Sequence, residues 1–434
     1  MDPFLVSDLT DRTALELAAS IRRREVAVRE VAESHLERIR AVDPDIRAVV
    51  RCSPTLLAEA EQADRALAAG AAPGALHGVP FTVKDWIETE GLACDGGYPA
   101  RKGYVPNADA TVVRRLRRAG AILLGKTRAG SDPALHPVPR HPLDPKRTAG
   151  SSSGGEAAII AARGSPLGIG SDSGGSLRWP AHCCGVATLK PSAGLVPLTG
   201  HYPPIITLTD PRTVIGPLAR SVADLAAVLP VIAGPDGTDA SAVPVPPRDF
   251  AAVAVGDLRL AWFTGFDGAR ADASVCAAVE AAVAALRSRV ASVREAVPPR
   301  IEEALDITRA YWARPESMSL EAWEPWGRST LSADDVEASL FRWDRLRRAF
   351  LRFMGDVDVI VCPAAAEVAP ARHAPRAEDY AFTVPFSLTG NPVVVIPAGS
   401  GEAGLPIGVQ IVAAPYRDHV ALAAARALEE ALGA

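Results

Sequence analysis

The stretch GIGSDSGGSLRWP, residues 168–180, gathers small residues and one aspartate around Gly174, Gly175 and Ser176, directly before a helix start. Paired glycines leave backbone N–H groups unobstructed. A glycine turn entering a helix can aim several amides at one point, which is what a developing oxyanion requires. A serine hydroxyl at the end of such a turn is a weak nucleophile until a base takes its proton. Lysine can be that base only as the neutral amine, in a site shielded from water. Only five lysines, Lys84, Lys102, Lys126, Lys146 and Lys190, occur among 46 basic residues. Arginine therefore serves wherever a fixed charge suffices, and a lysine in an apolar run such as GVPFTVKDW, where Lys84 sits, calls for chemistry that arginine cannot do. The run AGSSSGGE adds Ser151, Ser152 and Ser153 as candidate proton carriers between base and nucleophile. The bland alternative is a strand-to-helix connection that simply needs small residues.

Two shorter motifs compete. GAILLGKT, ending at Lys126 and Thr127, fits the phosphate-loop pattern. A phosphate loop is a wide turn between a strand and a following helix, whereas Ala-Ile-Leu-Leu is strand material placed after a helix. GSSSG, residues 150–154, fits the nucleophile-elbow pattern, but the polar, proline-broken RHPLDPKRTA before it provides no strand to feed the elbow. His373 and His419 lie downstream without a supporting context for a Ser-His-Asp triad. His136 and His141 are spaced unfavourably for a metal, and no metal is expected.

The elements that must position these residues follow from apolar periodicity. Helical stripes recur through about the first 70 residues, and GVPFTVKDW then reads as a strand. DATVVRRLRRAGAILLGKT reads as helix, stop and buried strand; GGEAAIIAARG as a central small-residue helix; SPLGIGS as another strand. RLAWFTG, an Ala-rich helix, VDVIVCPA, NPVVVIPAG, GVQIVAAP and a terminal helix continue the alternation. The expected fold is α/β, one large domain over residues 1–434 with a central twisted, mixed but largely parallel sheet and helices on both faces. Residues 301–353, with Trp312, Trp323, Trp326 and Trp343, read as a helical insertion that either packs in the core or covers the site. Hydrophobic residues make up 48% of the 434, charged residues 22%, and the net charge is −5, so nothing favours nucleic acid or an anionic membrane. No signal peptide or membrane span is expected, and six scattered cysteines fit a reducing, cytoplasmic setting.

The run AGSSSGGEAAIIAARGSPLGIGSDSGGSLRWPAHCCGVATLKPS resembles the amidase signature family over its whole length. Agreement continues in LHGVPFTVKD, GPLARSVADL, DVIVCPA, PFSLTGNPVVVIPAG and GLPIGVQIV, in family order, and supports a signature core at about 71–230 and a variable helical region at about 265–355. The resemblance implies a Ser–cis-Ser–Lys triad: Ser176 as nucleophile, Lys84 as base, and Ser152, preceded by a cis peptide, as the bridge. It also implies an oxyanion hole at the amides of Ser173, Gly174, Gly175 and Ser176, supported by Asp172 and Arg178. The implied reaction is hydrolysis of a small-molecule carboxamide through an acyl-enzyme, with no cofactor needed, and the protein partner considered for the amidase reading is a second copy of the chain, as a homodimer. Three alternatives share the fold: the glutaminase subunit of a tRNA amidotransferase, an esterase or acyl transferase with the same triad, and a catalytically silent binding protein. The segment at 125–150, with Arg128 and extra prolines, and the bulky Trp179 depart from the family pattern.

Overall fold

The computed structural model describes residues 9–129, 135–205, 211–246, 248–312, 332–371 and 376–433. Eleven strands form one sheet: β1 (Val49–Cys52), β2 (Pro80–Lys84), β3 (Ile122–Thr127), β4 (Leu167–Asp172), β5 (Ala187–Lys190), β6 (Val214–Ala219), β7 (Arg259–Trp262), β10 (Ser292–Glu295), β11 (Val359–Pro363), β12 (Val393–Ser400) and β13 (Pro406–Ala413). Two-residue strands β8 (Gly265–Phe266) and β9 (Ala269–Arg270) form a separate small hairpin. The sheet order is β1-β3-β2-β4-β6-β5-β12-β13-β11-β7-β10.

The sheet is mixed, but the expectation of a largely parallel one does not hold. Four neighbouring pairs are parallel (β2 with β3 and β4, β7 with β10 and β11). The other six are antiparallel. The difference arises where the sequence hides a strand or joins two strands too closely for a crossover. β6 reads Val-Ile-Gly-Pro-Leu-Ala and runs antiparallel to both β4 and β5, although proline seldom lies inside a sheet. β12 and β13 are joined by a tight connection and pair as a hairpin, which requires reversal. The helical reading of the first 70 residues is right for Ala14–Arg22, Val28–Ile46 and Leu56–Ala68, but the short run Val49–Cys52 becomes an antiparallel edge strand.

Helices cover both faces, each burying its own apolar cluster. One cluster includes Val31, Ile159, Ile160, Trp179 and Phe350, and the other Phe81, Val83, Ile169, Val228 and Leu428. Alternation along β2 sends Phe81 and Val83 into the second cluster, leaving Thr82 and Lys84 for the opposite face. Over that face lies the helix Gly154–Ala161, whose Glu156 accepts hydrogen bonds from Thr82 (2.6 Å) and Thr127 (2.7 Å). Gly168 on β4 lets the helix come this close, because a Cβ there would stand 2.1 Å from Glu156 Oε2. Trp343, on the helix Ala333–Asp356, is buried and donates its indole N–H to the Leu388 carbonyl at 2.6 Å, so it packs in the core. Trp323, Trp326 and the question of a cover over the site lie outside the described residues, as does the side chain of Trp312.

Gly168→Ala is expected to destabilise the fold by about 1–3 kcal/mol, because Glu156 is pinned by two hydroxyls and cannot yield. Urea unfolding checks this, and an unchanged midpoint would contradict the close packing of helix on sheet.

Candidate active site

Lys84 ends β2 fully buried, with Nζ 2.6 Å from Ser152 Oγ. The same nitrogen lies 3.0 Å from Ser171 Oγ, 3.5 Å from the Ser171 carbonyl and 4.0 Å from the centre of the Trp86 ring. Ser151 donates to Ser176 Oγ at 3.1 Å. Ser153 turns inward, donating to the Ser171 carbonyl at 3.1 Å, and is fully buried. The three consecutive serines thus face three different partners. Among the described residues the one cis peptide precedes Pro203, so the bond before Ser152 is trans, contrary to the resemblance. Trans is the lower-energy form, and from it Ser152 reaches the lysine while its neighbour reaches Ser176.

The glycine turn between β4 and the helix Arg178–Cys184 is held from below. Asp172 accepts from Arg178 Nε (2.9 Å) and Nη2 (2.8 Å) and from the Leu177 amide (3.1 Å). Burial works against a charged Asp172, but the Arg178 charge and its hydrogen bonds outweigh that and hold the carboxyl below its ordinary range. Arg178 also donates to the Thr383 carbonyl (2.6 Å), Ser387 Oγ (2.7 Å) and Gln410 Oε1 (3.3 Å). Thr383 Oγ1 in turn donates to the Gly174 carbonyl at 2.5 Å. Gly175 has φ +150°, and a Cβ there would meet Thr383 Oγ1 at 2.4 Å, so only glycine fits. The Gly175 carbonyl is engaged as well, by the Trp179 amide at 2.8 Å. Ser173 is half-buried, with its hydroxyl 2.7 Å from Thr213 Oγ1.

The remaining candidates take structural roles. Lys126 lies inside β3, its ammonium 3.1 Å from Thr89 Oγ1 and also on the Ile87 carbonyl, so GAILLGKT forms strand rather than phosphate cradle. No strand precedes the GSSSG turn, which leads straight into the helix at Gly154. His141 Nδ1 accepts from the Leu143 amide (3.1 Å) and Nε2 donates to the Cys183 carbonyl (2.7 Å), tying the chain around His141 to the helix Arg178–Cys184. Trp179 is buried with its ring edge-on to Tyr380 at 5.3 Å. His373 lies outside the described residues. Asp85, Asp95 and His136 are the one group among the described residues spaced to hold a cation. Arg51 is paired with Asp95, and Lys126 stands 4.0 Å from Asp85, so both carboxylates already have positive partners.

Residue reading by itself missed Ser171, His201, Glu156, Thr383, Ser387 and Gln410. The signal for Glu156 was a charged residue within an otherwise small, apolar helix. For the last three it was the polar residues inside PFSLTGNP and GVQIV, segments otherwise apolar. Burial pushes Glu156 up from 4.5 to about 7, the Thr82 and Thr127 hydroxyls pulling it partly back. Between pH 4.5 and about 7 the folded protein keeps a proton on Glu156 that the unfolded chain releases, so the stability present in full below pH 4.5 is lost as pH rises through about 7. Relative to Glu156→Gln, wild-type stability should fall by roughly 3 kcal/mol across that window. Denaturant unfolding of both proteins from pH 4.5 to 8 measures the difference; a flat difference would contradict a proton held on Glu156.

The amidase family model matches residues 30–324 and 314–422. An indoleacetamide hydrolase of Bradyrhizobium diazoefficiens is 34% identical, the match covering 97% of this chain and 86% of that one. A glutamyl-tRNA(Gln) amidotransferase subunit from Thermus thermophilus is 35% identical over 96% of this chain and 97% of its own. The solved structure of a 6-aminohexanoate cyclic dimer hydrolase with substrate superposes with a TM-score of 0.77 at 30% identity, over 98% of each chain. No helix among the described residues is long and apolar enough to cross a membrane.

Proposed function

This chain belongs to the amidase family, hydrolases of amide C–N bonds, and from that premise we propose that it cleaves a small carboxamide using Lys84, Ser152 and Ser176. The observation that carries this reading is the 2.6 Å contact between a fully buried lysine amine and Ser152, beside a glycine turn that presents Ser176. Neutral Lys84 takes the Ser152 proton as Ser152 takes that of Ser176, and Ser176 Oγ attacks the carbonyl carbon. The amides of Ser173, Gly174, Gly175 and Ser176 receive the negative charge that develops on the carbonyl oxygen. As the tetrahedral species collapses the C–N bond breaks, and the proton returns from Lys84 through Ser152 to the leaving nitrogen. Water then attacks the acyl-enzyme, giving its proton along the same path and releasing the acid with Ser176 restored. Ser151 holds the Ser176 oxygen in place while this happens. All six cysteines are free thiols, which supports a reducing, cytoplasmic setting.

Ser176→Ala and Lys84→Ala are expected to abolish carboxamide turnover. Ser152→Ala should lower kcat about 10²–10⁴-fold, as loss of general acid–base catalysis does. Ser151→Ala, which removes one neutral hydrogen bond, should cost less than about tenfold. Equal losses for Ser151→Ala and Ser152→Ala would place both hydroxyls in the proton path instead. The 35% identity to an amidotransferase subunit favours one other reading, glutaminase within a larger assembly. Ammonia release by the isolated chain separates them: turnover of simple carboxamides supports the amidase, and activity confined to glutamine and dependent on added partner subunits would overturn it.

A further inference from the structure

Ser171 Oγ stands between Lys84 Nζ and His201 Nε2, 3.0 Å from each. The other ring nitrogen of His201, Nδ1, is 3.0 Å from the Pro203 carbonyl oxygen. A carbonyl only accepts, so Nδ1 carries the proton of the neutral imidazole and Nε2 is left as an acceptor. Ser171 has one proton, and His201 takes it in a hydrogen bond. Toward Lys84 the Ser171 oxygen can then only accept. We propose that His201 and Ser171 are a positioning pair for Lys84, holding its N–H groups so that its lone pair stays on Ser152.

The inference rests on Lys84 being the base. A neutral amine has two N–H groups and one lone pair. Ser171 offers its hydroxyl oxygen at 3.0 Å and its carbonyl at 3.5 Å to the N–H groups, and in the proposed arrangement the lone pair faces Ser152 Oγ, 2.6 Å from Nζ. Without His201, the Ser171 hydroxyl is free to rotate and donate to the lysine nitrogen, competing with Ser152 for the same lone pair. The loop carrying His201 is stitched to the chain just after Lys84, the Glu88 amide donating to Gly200 (2.8 Å) and the Tyr202 amide to Trp86 (2.7 Å). The Trp86 ring bridges the two, 4.0 Å from Lys84 Nζ and edge-on to His201 at 5.9 Å. Burial pushes His201 down to about 4, so the ring remains neutral through the working pH range.

The test is the rate at which a small fluorophosphonate modifies Ser176, separated into its maximal rate and its binding constant. His201→Phe and Ser171→Ala should each lower the maximal rate about tenfold with the binding constant unchanged. The double variant should be no slower than Ser171→Ala alone, and Ser171→Thr, which keeps the hydroxyl, should restore most of the rate. A wild-type maximal rate in His201→Phe, or losses that multiply in the double variant, would overturn the proposal. Should His201→Phe fail to fold, Ser171→Ala decides, since an unchanged maximal rate there overturns it equally. Lys84→Ala separates the premise: continued labelling of Ser176 in that variant removes lysine as base, whereas its loss with normal His201→Phe and Ser171→Ala rates removes only the positioning pair.

Discussion

Asp172 and Arg178 bury opposite charges where water cannot reach either, an arrangement tolerated only because nearly every donor and acceptor is used. The carboxylate takes a forked pair of guanidinium bonds and the amide that ends the glycine turn. The guanidinium reaches on to Thr383, Ser387 and Gln410, residues far along the chain that belong to the segment around the helix Val384–Leu388 and to β13. One ion pair therefore fixes the turn to two distant elements at once. Removal of either partner leaves a lone buried charge, a loss of about 3–5 kcal/mol, so the turn holding Ser176 has little freedom to relax.

Three of the five lysines are fully buried, and their surroundings set Lys84 apart from the other two as the proposed base. Lys190 donates to the carbonyls of Asn391 (2.7 Å) and Pro191 (3.3 Å), and burial pushes it down to about 7. Lys126 is held by the Ile87 carbonyl and by Thr89, whose hydroxyl gives its own proton to that same carbonyl at 3.4 Å. Carbonyl oxygens can only receive N–H groups and have no proton to give. Lys84 alone among these three faces serine hydroxyls, which can both accept and donate. A depressed pKa is thus insufficient to mark a base; a partner with a transferable proton is needed as well.

Much of the candidate site is legible because its residues are local in sequence. The glycine turn, Ser176 and the serine run occupy one short stretch, and Lys84 stands out because lysine is so scarce. The choice of Ser152 as the bridge came from family resemblance, not from spacing. The supports could not be read the same way. His201, Thr383 and Gln410 act through loops and strands brought together only by the sheet order, and each is an unremarkable polar residue in its own segment. The sheet shows the same limit: β2, β3 and β4 follow from apolar runs, whereas β6 is disguised by Gly216 and Pro217, so its antiparallel pairing became visible only with the fold.

The central claim is that a lysine amine activates Ser176. Its most direct test is to treat the protein with a small fluorophosphonate and locate the adduct by peptide mass spectrometry. An adduct on Ser176 that disappears in Lys84→Ala is the predicted result. An adduct on Ser151, Ser152 or Ser153, or one on Ser176 that persists without Lys84, would contradict it.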